Sequence, residues 1–184
     1  MARLIAAINL TIDGFCDHTA VTAGDELLRH YSELLSQAGA ILYGRITYQL
    51  MESYWPAVAM NPAGNKPEDE FAEVIQHIPK IVFSRTLTSV GWENARLAKG
   101  GLEEEVIRLM QQPDRDILAG SRSLIAALTE LNLIDEYQLC VHPVIAGGGL
   151  PLFKDVKNRA TFKLLKTKTF GSGAIVLYYE PAKK

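Results

Sequence analysis

Only two cysteines occur in 184 residues, Cys16 and Cys140. They make no Cys-x-x-Cys pair and no metal-type spacing, which excludes a disulfide framework or a zinc module and suits a reducing compartment. The four histidines, His18, His30, His77 and His142, are equally scattered, so no metal site is expected. No stretch approaches the ~18 apolar residues of a membrane span. The opening "MARLIAAINLTIDGF" has a short apolar run and no small-residue cleavage pattern, so a secretory signal is not expected. Excess charge of one sign is missing too: 19 Lys+Arg stand against 21 Asp+Glu, for a net charge of −2. Nucleic acid or an anionic membrane would want a concentrated basic face, so neither is an expected partner. What remains is a soluble, cytoplasmic protein whose phosphate recognition, if any, is local.

Against those absences stands an ordinary core-forming composition, 48% hydrophobic and 22% charged, on a length that suits one domain over residues 1–184. "RLIAAINL" reads as an interior strand ending in the Asp13-Gly14 turn. A helix is expected from Asp25 to Ala38, with Leu27, Leu28, Tyr31, Leu34, Leu35 and Ala38 as its apolar stripe and Gly39 as its cap. "AILYG" is a second strand and "RITYQLMESY" a second helix. "WPAVAMNPAGNKP" reads as a loop. Pro67 opens a helix lined by Phe71, Val74, Ile75 and Ile78. "KIVFS" is a strand, "LEEEVIRLMQQ" a helix stopped before Pro113, "DILAG" a strand and "SRSLIAALTELN" a helix. In the last third, "EYQLCVHPVIAGGG", "FKLLKTKTF" and "AIVLYYE" read as strands, the final two joined at Gly171-Ser172-Gly173. Early alternation and late pairing predict an α/β fold: a mostly parallel central sheet with helices on both faces, finished by a C-terminal antiparallel hairpin.

Two segments carry chemistry. In "ILYGRITYQL" and in "ILAGSRSLIAAL" an apolar strand runs into glycine and then into a helix. A helix opening leaves backbone N–H groups without partners and carries about half a positive charge. A glycine there admits a phosphate, and Arg or Ser adds charge-assisted hydrogen bonds. Gly44-Arg45-Ile46-Thr47 supplies this once, and Gly120-Ser121-Arg122-Ser123 supplies it again. Both turns fall at carboxyl ends of strands, where open α/β sheets bind ligands. A third turn, Ser84-Arg85-Thr86, suits an extra phosphate such as that on the ribose of NADP. Neither a Walker loop nor a Gly-x-Gly-x-x-Gly fingerprint is present.

These segments, in this order, resemble the dihydrofolate reductase superfamily, and more closely the branch that includes the reductase domain of bacterial riboflavin biosynthesis. "LIAAINLTIDGF", "LYGRITYQ", "VFSRTL", "ILAGSRSLIAAL" and "HPVIAGGGLPLF" carry the resemblance over nearly the whole chain. It implies the three-layer α/β/α fold of that superfamily and NADPH as cofactor. It further implies that Ala7 offers its backbone to the nicotinamide carboxamide and that Asp13-Gly14 belongs to the loop closing over the ring. Gly44, Arg45, Ile46 and Thr47 would hold phosphate, Ser84 and Arg85 the ribose phosphate, and Gly120, Ser121, Arg122, Ser123 and Leu124 the pyrophosphate. Tyr31, Tyr54 and Trp55 are candidates to line the substrate pocket. The sequence departs from the pattern at Gln49, where an acid is usual, and at Ala119, where many relatives have glycine. It departs again near Leu28, where folate-reducing members carry an acid; Asp25 and Glu26 suit the helix dipole instead. No side chain is singled out as proton donor. The expected activity is hydride transfer to a small pterin- or pyrimidine-like heterocycle, in a homodimer. The alternative is a dinucleotide-binding module without turnover.

Overall fold

The structure, a computed structural model, describes residues 1–112 and 115–182. The chain divides into two compact units, Met1–Ala2 with Gly24–Leu118 and Arg3–Ala23 with Ala119–Lys184.

The first unit contains α1 (Asp25–Gln37), β2 (Ala40–Gly44), α2 (Arg45–Glu52), α3 (Trp55–Met60), α4 (Lys66–His77), β3 (Lys80–Phe83), β4 (Ala95–Leu97) and α5 (Leu102–Met110). Parallel neighbours need a crossover, and α2 to α4 supply it between β2 and β3, which pair from Ile41↔Lys80 to Gly44↔Phe83. The β3–β4 pair is also parallel. The apolar stripe of α1 is seated as expected at Leu27, Leu28 and Leu35. Its end is not: Gly39 has no positive φ, and the helix stops at an extended Ala38. Glycine at 39 instead gives room, since a Cβ there would lie a tight 3.1 Å from Cβ of Arg115. The expected loop after α2 is partly helical, because Pro56 sits in the first turn of α3, where its missing N–H is harmless. Pro113, expected to stop α5, lies outside the described residues.

Two charges are buried in this unit. Lys80 is 0% exposed. Its Nζ donates to the carbonyls of Gln76 (2.9 Å), Ile78 (3.0 Å) and Glu93 (3.0 Å) and lies 4.4 Å from the centre of the Trp92 ring. It thereby fills the carbonyl-rich end of α4. Burial pushes its ammonium down to about 8, against the pull of the Glu93 carboxylate. Glu105 accepts from Arg96 (2.5 Å) and Arg108 (2.6 Å). Burial alone would raise that carboxyl; the hydrogen bond from Arg96 and the two guanidinium charges outweigh it and lower it.

The second unit contains β1 (Leu4–Thr11), α6 (Arg122–Glu130), β6 (Glu136–His142), β7 (Phe162–Thr169) and β8 (Ile175–Pro181). The short β5 (Ile117–Ala119) begins in the first unit and ends in the second. β1 and β6 are parallel, while β6–β8 and β7–β8 are antiparallel. The hairpin turn closes through Gly173 at φ +85°, its N–H donating to the Phe170 carbonyl. β7 is largely exposed past Phe162; its lysines, Lys163, Lys166 and Lys168, discourage addition of another strand. The fold is thus α/β, with eight strands that are mostly parallel and an antiparallel pair at the C-terminal end. Among the described residues no helix is long and apolar enough to cross a membrane, and no His/Cys/Asp/Glu group is placed to hold a metal ion.

Candidate functional site

In the first unit, β2 delivers Gly44 to the opening of α2, and no side chain caps that helix by hydrogen bonding. Arg45 and Ile46 are exposed and Thr47 is half-buried. The Arg45 guanidinium donates to Oε1 of Gln49 at 3.1 Å, a neutral acceptor that brings no opposite charge to it. Tyr48, 1% exposed, holds the helix from beneath: its hydroxyl donates to Glu52 at 2.6 Å and accepts from the N–H of Trp92 at 3.1 Å. The Ser84–Thr86 turn leaves the neighbouring strand. Because Gly44 pairs with Phe83, this turn and the α2 opening emerge side by side at the same end of the β2–β3 pair. Ser84 Oγ accepts from the N–H groups of Thr86 (3.1 Å) and Leu87 (2.9 Å), shaping a turn from which Arg85 projects exposed.

The aromatic candidates in this unit are tied to its helices. Tyr54 is exposed and its hydroxyl donates to Glu68. Trp55 packs on Phe71 with ring centres 4.4 Å apart and meets Tyr54 edge-on at 5.0 Å. Tyr31 is half-buried, 5.3 Å from the ring of His30.

In the second unit the similar turn is built differently. Ser121 is the N-cap of α6 and is buried, Ser123 is exposed, Gly120 is half-buried, and Leu124 is 7% exposed as part of the core. Arg122 is engaged elsewhere: Nη1 donates to the Pro151 carbonyl at 3.1 Å and to Asp155 at 3.3 Å. Asp13 is not the simple turn former its Asp-Gly context implies. Its carboxylate accepts from Thr11 Oγ1 (2.6 Å) and from the N–H groups of Ala146 (3.1 Å) and Gly147 (2.8 Å). The Thr11 hydrogen bond first, with the Gly147 and Ala146 amides, holds it down at about 2 against the opposing effect of desolvation. It therefore ties the Asp13–Gly14 turn, where Gly14 has φ +84°, to the glycine-rich loop after β6. Cys16 N–H to the Leu150 carbonyl (2.8 Å) and Leu152 N–H to the Gly14 carbonyl (3.1 Å) complete the join.

Several further polar groups of this unit are buried or half-buried. Burial raises the Cys16 thiol to about 11, against the nearby Arg122 charge, and the Cys140 thiol to about 12, so neither is a ready nucleophile. On β1 and β6, Ala7, Asn9 and Thr11 are in register with Gln138, Cys140 and His142. Partners in a parallel ladder point to the same face, so these residues form one row. His142, its imidazolium disfavoured by burial, lies 3.0 Å from Asn9 Oδ1 and 3.5 Å from Cys140 Sγ. "EYQLCVHPVIAGGG" reads as a strand in the sequence; the register that brings it beside Ala7 did not follow from either segment alone.

This α/β arrangement is that of the dihydrofolate-reductase-like folds. A protein from Shewanella sp. PV-4 named for riboflavin biosynthesis superposes with a TM-score of 0.75 at 20% identity, each chain covered completely. A Thermotoga maritima diaminohydroxyphosphoribosylaminopyrimidine deaminase/5-amino-6-(5-phosphoribosylamino)uracil reductase gives 0.69 at 16% identity, over 98% of this chain and 57% of that one. At such identities the likeness speaks for the fold. The sequence goes further: residues 2–176 match the RibD C-terminal domain, and the chain belongs to that family. It is also 34% identical over 181 residues to Bacillus subtilis YyaP, covering 96% of this chain and 94% of YyaP. The family is the reductase domain of riboflavin-biosynthesis proteins, which indicates a reductase-type role.

Proposed function

We propose that this protein is an NADPH-dependent reductase that delivers hydride to a small pterin- or pyrimidine-like heterocycle. The observation that carries the reading is the pair of adjacent turns at the ends of β2 and β3, each presenting an exposed arginine. Two guanidinium groups beside an uncapped helix opening are a donor set for phosphate, and no acidic side chain follows Arg45 one helical turn on to neutralise it. We assign Gly44, Arg45, Ile46 and Thr47 to phosphate binding and Ser84 and Arg85 to the ribose phosphate. In the second unit we assign Gly120, Ser121, Ser123 and Leu124 to the pyrophosphate, with Arg122 bracing the loop at Pro151. Ala7 and the Asp13-Gly14 turn are assigned to the nicotinamide, and Tyr31, Tyr54 and Trp55 to the substrate. We take the protein to act in the cytoplasm as a homodimer, by analogy with its family.

NADPH, when bound, supplies the hydride. The protein's own part is to fix the phosphates, orient the ring and exclude water. Asp13 is not the proton source in this reading, since its carboxylate is held ionised by three donors. Water delivers the proton. Calorimetry with NADP+ and NADPH tests the cofactor assignment, and absence of binding to both sinks it. Steady NADPH oxidation with a panel of pterins, pyrimidines and quinones is expected with at least one acceptor; binding without any turnover favours the non-catalytic module.

A further inference from the structure

The row shared by β1 and β6 contains one unmet demand. Gln138 is 6% exposed, and among the described residues its Oε1 is a buried side-chain oxygen with no hydrogen-bond partner. The amide cannot be turned to remove the problem. Its Nε2 donates to Oε1 of Glu136 at 2.8 Å, and exchanging the two atoms would set the amide oxygen against a carboxylate. Glu136 is fixed in turn by Arg3, whose Nη1 lies 3.1 Å from its other oxygen. The relay Arg3–Glu136–Gln138 thus holds a bare acceptor in place. Elsewhere in the row Asn9, Cys140 and His142 are in contact with one another, and Thr11 donates to Asp13. Buried acceptors without donors are rare in folded proteins because the lost hydration is not replaced. A ligand N–H that supplied the donor would reach the row most easily over its smallest side chain. That side chain is the methyl of Ala7, which pairs with Gln138 on one side while Tyr178 pairs with it on the other.

We propose that Gln138 is a cofactor-positioning residue whose Oε1 accepts a hydrogen bond from the primary carboxamide of the nicotinamide ring. This rests on the NADPH reading above and names a contact within it. A primary amide on a flat ring offers N–H donors without charge and can lie across an alanine. The adenine amine of the same cofactor offers a similar donor, and the comparison below separates the two because it alters the nicotinamide end alone.

The test compares NADP+ with its 3-acetylpyridine analogue, in which a methyl group replaces the amide NH2, by calorimetry on the full chain. Wild type is expected to bind NADP+ about tenfold tighter than the analogue, the usual effect of one buried hydrogen bond. Gln138→Leu, close in size, is expected to lose that preference by weakening NADP+ while leaving the analogue unchanged. Equal affinity of wild type for the two compounds overturns the proposal even if the variant does not fold. A preference that persists in Gln138→Leu or Gln138→Met overturns it as well. If neither compound binds wild type, the NADPH reading itself has failed.

Discussion

The two strand–glycine–helix turns look alike as text and differ as structures. At Gly44-Arg45 the arginine stays exposed on its own helix and hydrogen-bonds the neutral amide of Gln49. At Gly120-Ser121-Arg122 the arginine folds away, 22% exposed, onto a carbonyl and Asp155. One turn leaves its positive charge exposed; the other uses it to hold the loop at Pro151. A basic residue beside a helix opening is therefore a binding group only if nothing nearby claims it first.

The comparison can be broken most directly at Arg45. Arg45→Ala is expected to weaken NADP+ binding roughly ten- to hundredfold, the loss of one charged hydrogen bond worth about 1.5–3 kcal/mol. Its thermal midpoint should stay put, because the side chain is exposed and its hydrogen bond to Gln49 lies within α2. Equal affinities in titration calorimetry would remove this turn from the site. Arg85→Ala comes next, with the NADPH-over-NADH preference falling by about tenfold; an unchanged ratio assigns the ribose phosphate elsewhere. Arg122→Ala should show the opposite profile. Stability is expected to fall by about 1 kcal/mol in urea unfolding through the lost Pro151 bond, with NADP+ affinity reduced less than in Arg45→Ala. A larger binding loss at Arg122 than at Arg45 would reverse the distinction drawn between them.

The finest adjustment is Gln49→Glu, which places a carboxylate one helical turn from Arg45. Pairs at this spacing are worth about 0.3–0.5 kcal/mol on a helix surface, so NADP+ affinity should fall only about twofold, and the effect should fade in high salt. Acid offers a separate probe of the second unit. The folded-state acidity of Asp13 lies near 2, below the ordinary 3.8, so the stabilisation it contributes is complete above about pH 4 and disappears as pH falls through 2. Amide exchange at Ala146 and Gly147 should accelerate over that window in wild type. Asp13→Asn should exchange faster already at neutral pH and show no such step.

How much of this was open to a reader of letters alone varies with the range of the interaction. β1, β2, β3, α1, α4 and the C-terminal hairpin were legible because each is set by local periodicity and its turn residues. β4 was not, since Ala-Arg-Leu has no strand signature and pairs only because β3 is beside it. α3 was hidden by prolines and asparagine that read equally well as loop. Lys80 and Glu105 look like surface charges; the carbonyls and arginines that bury them come from segments up to 13 residues away. Of the candidate site, the backbone turns were visible. The posture of each side chain at them was not.

By itself, then, the order of residues settled which strands end in glycine, which helices open beside them, and to which family the chain belongs, because local propensity and motif order are properties of neighbours along the chain. Tertiary structure alone decided that Arg45 is available and Arg122 is not, that Asp13 is a tie between two loops, and that Gln138 stands beside Ala7 with an oxygen unmet. Those outcomes depend on strand register and on partners brought from distant segments, and electrostatics and hydrogen bonding act across space rather than along sequence.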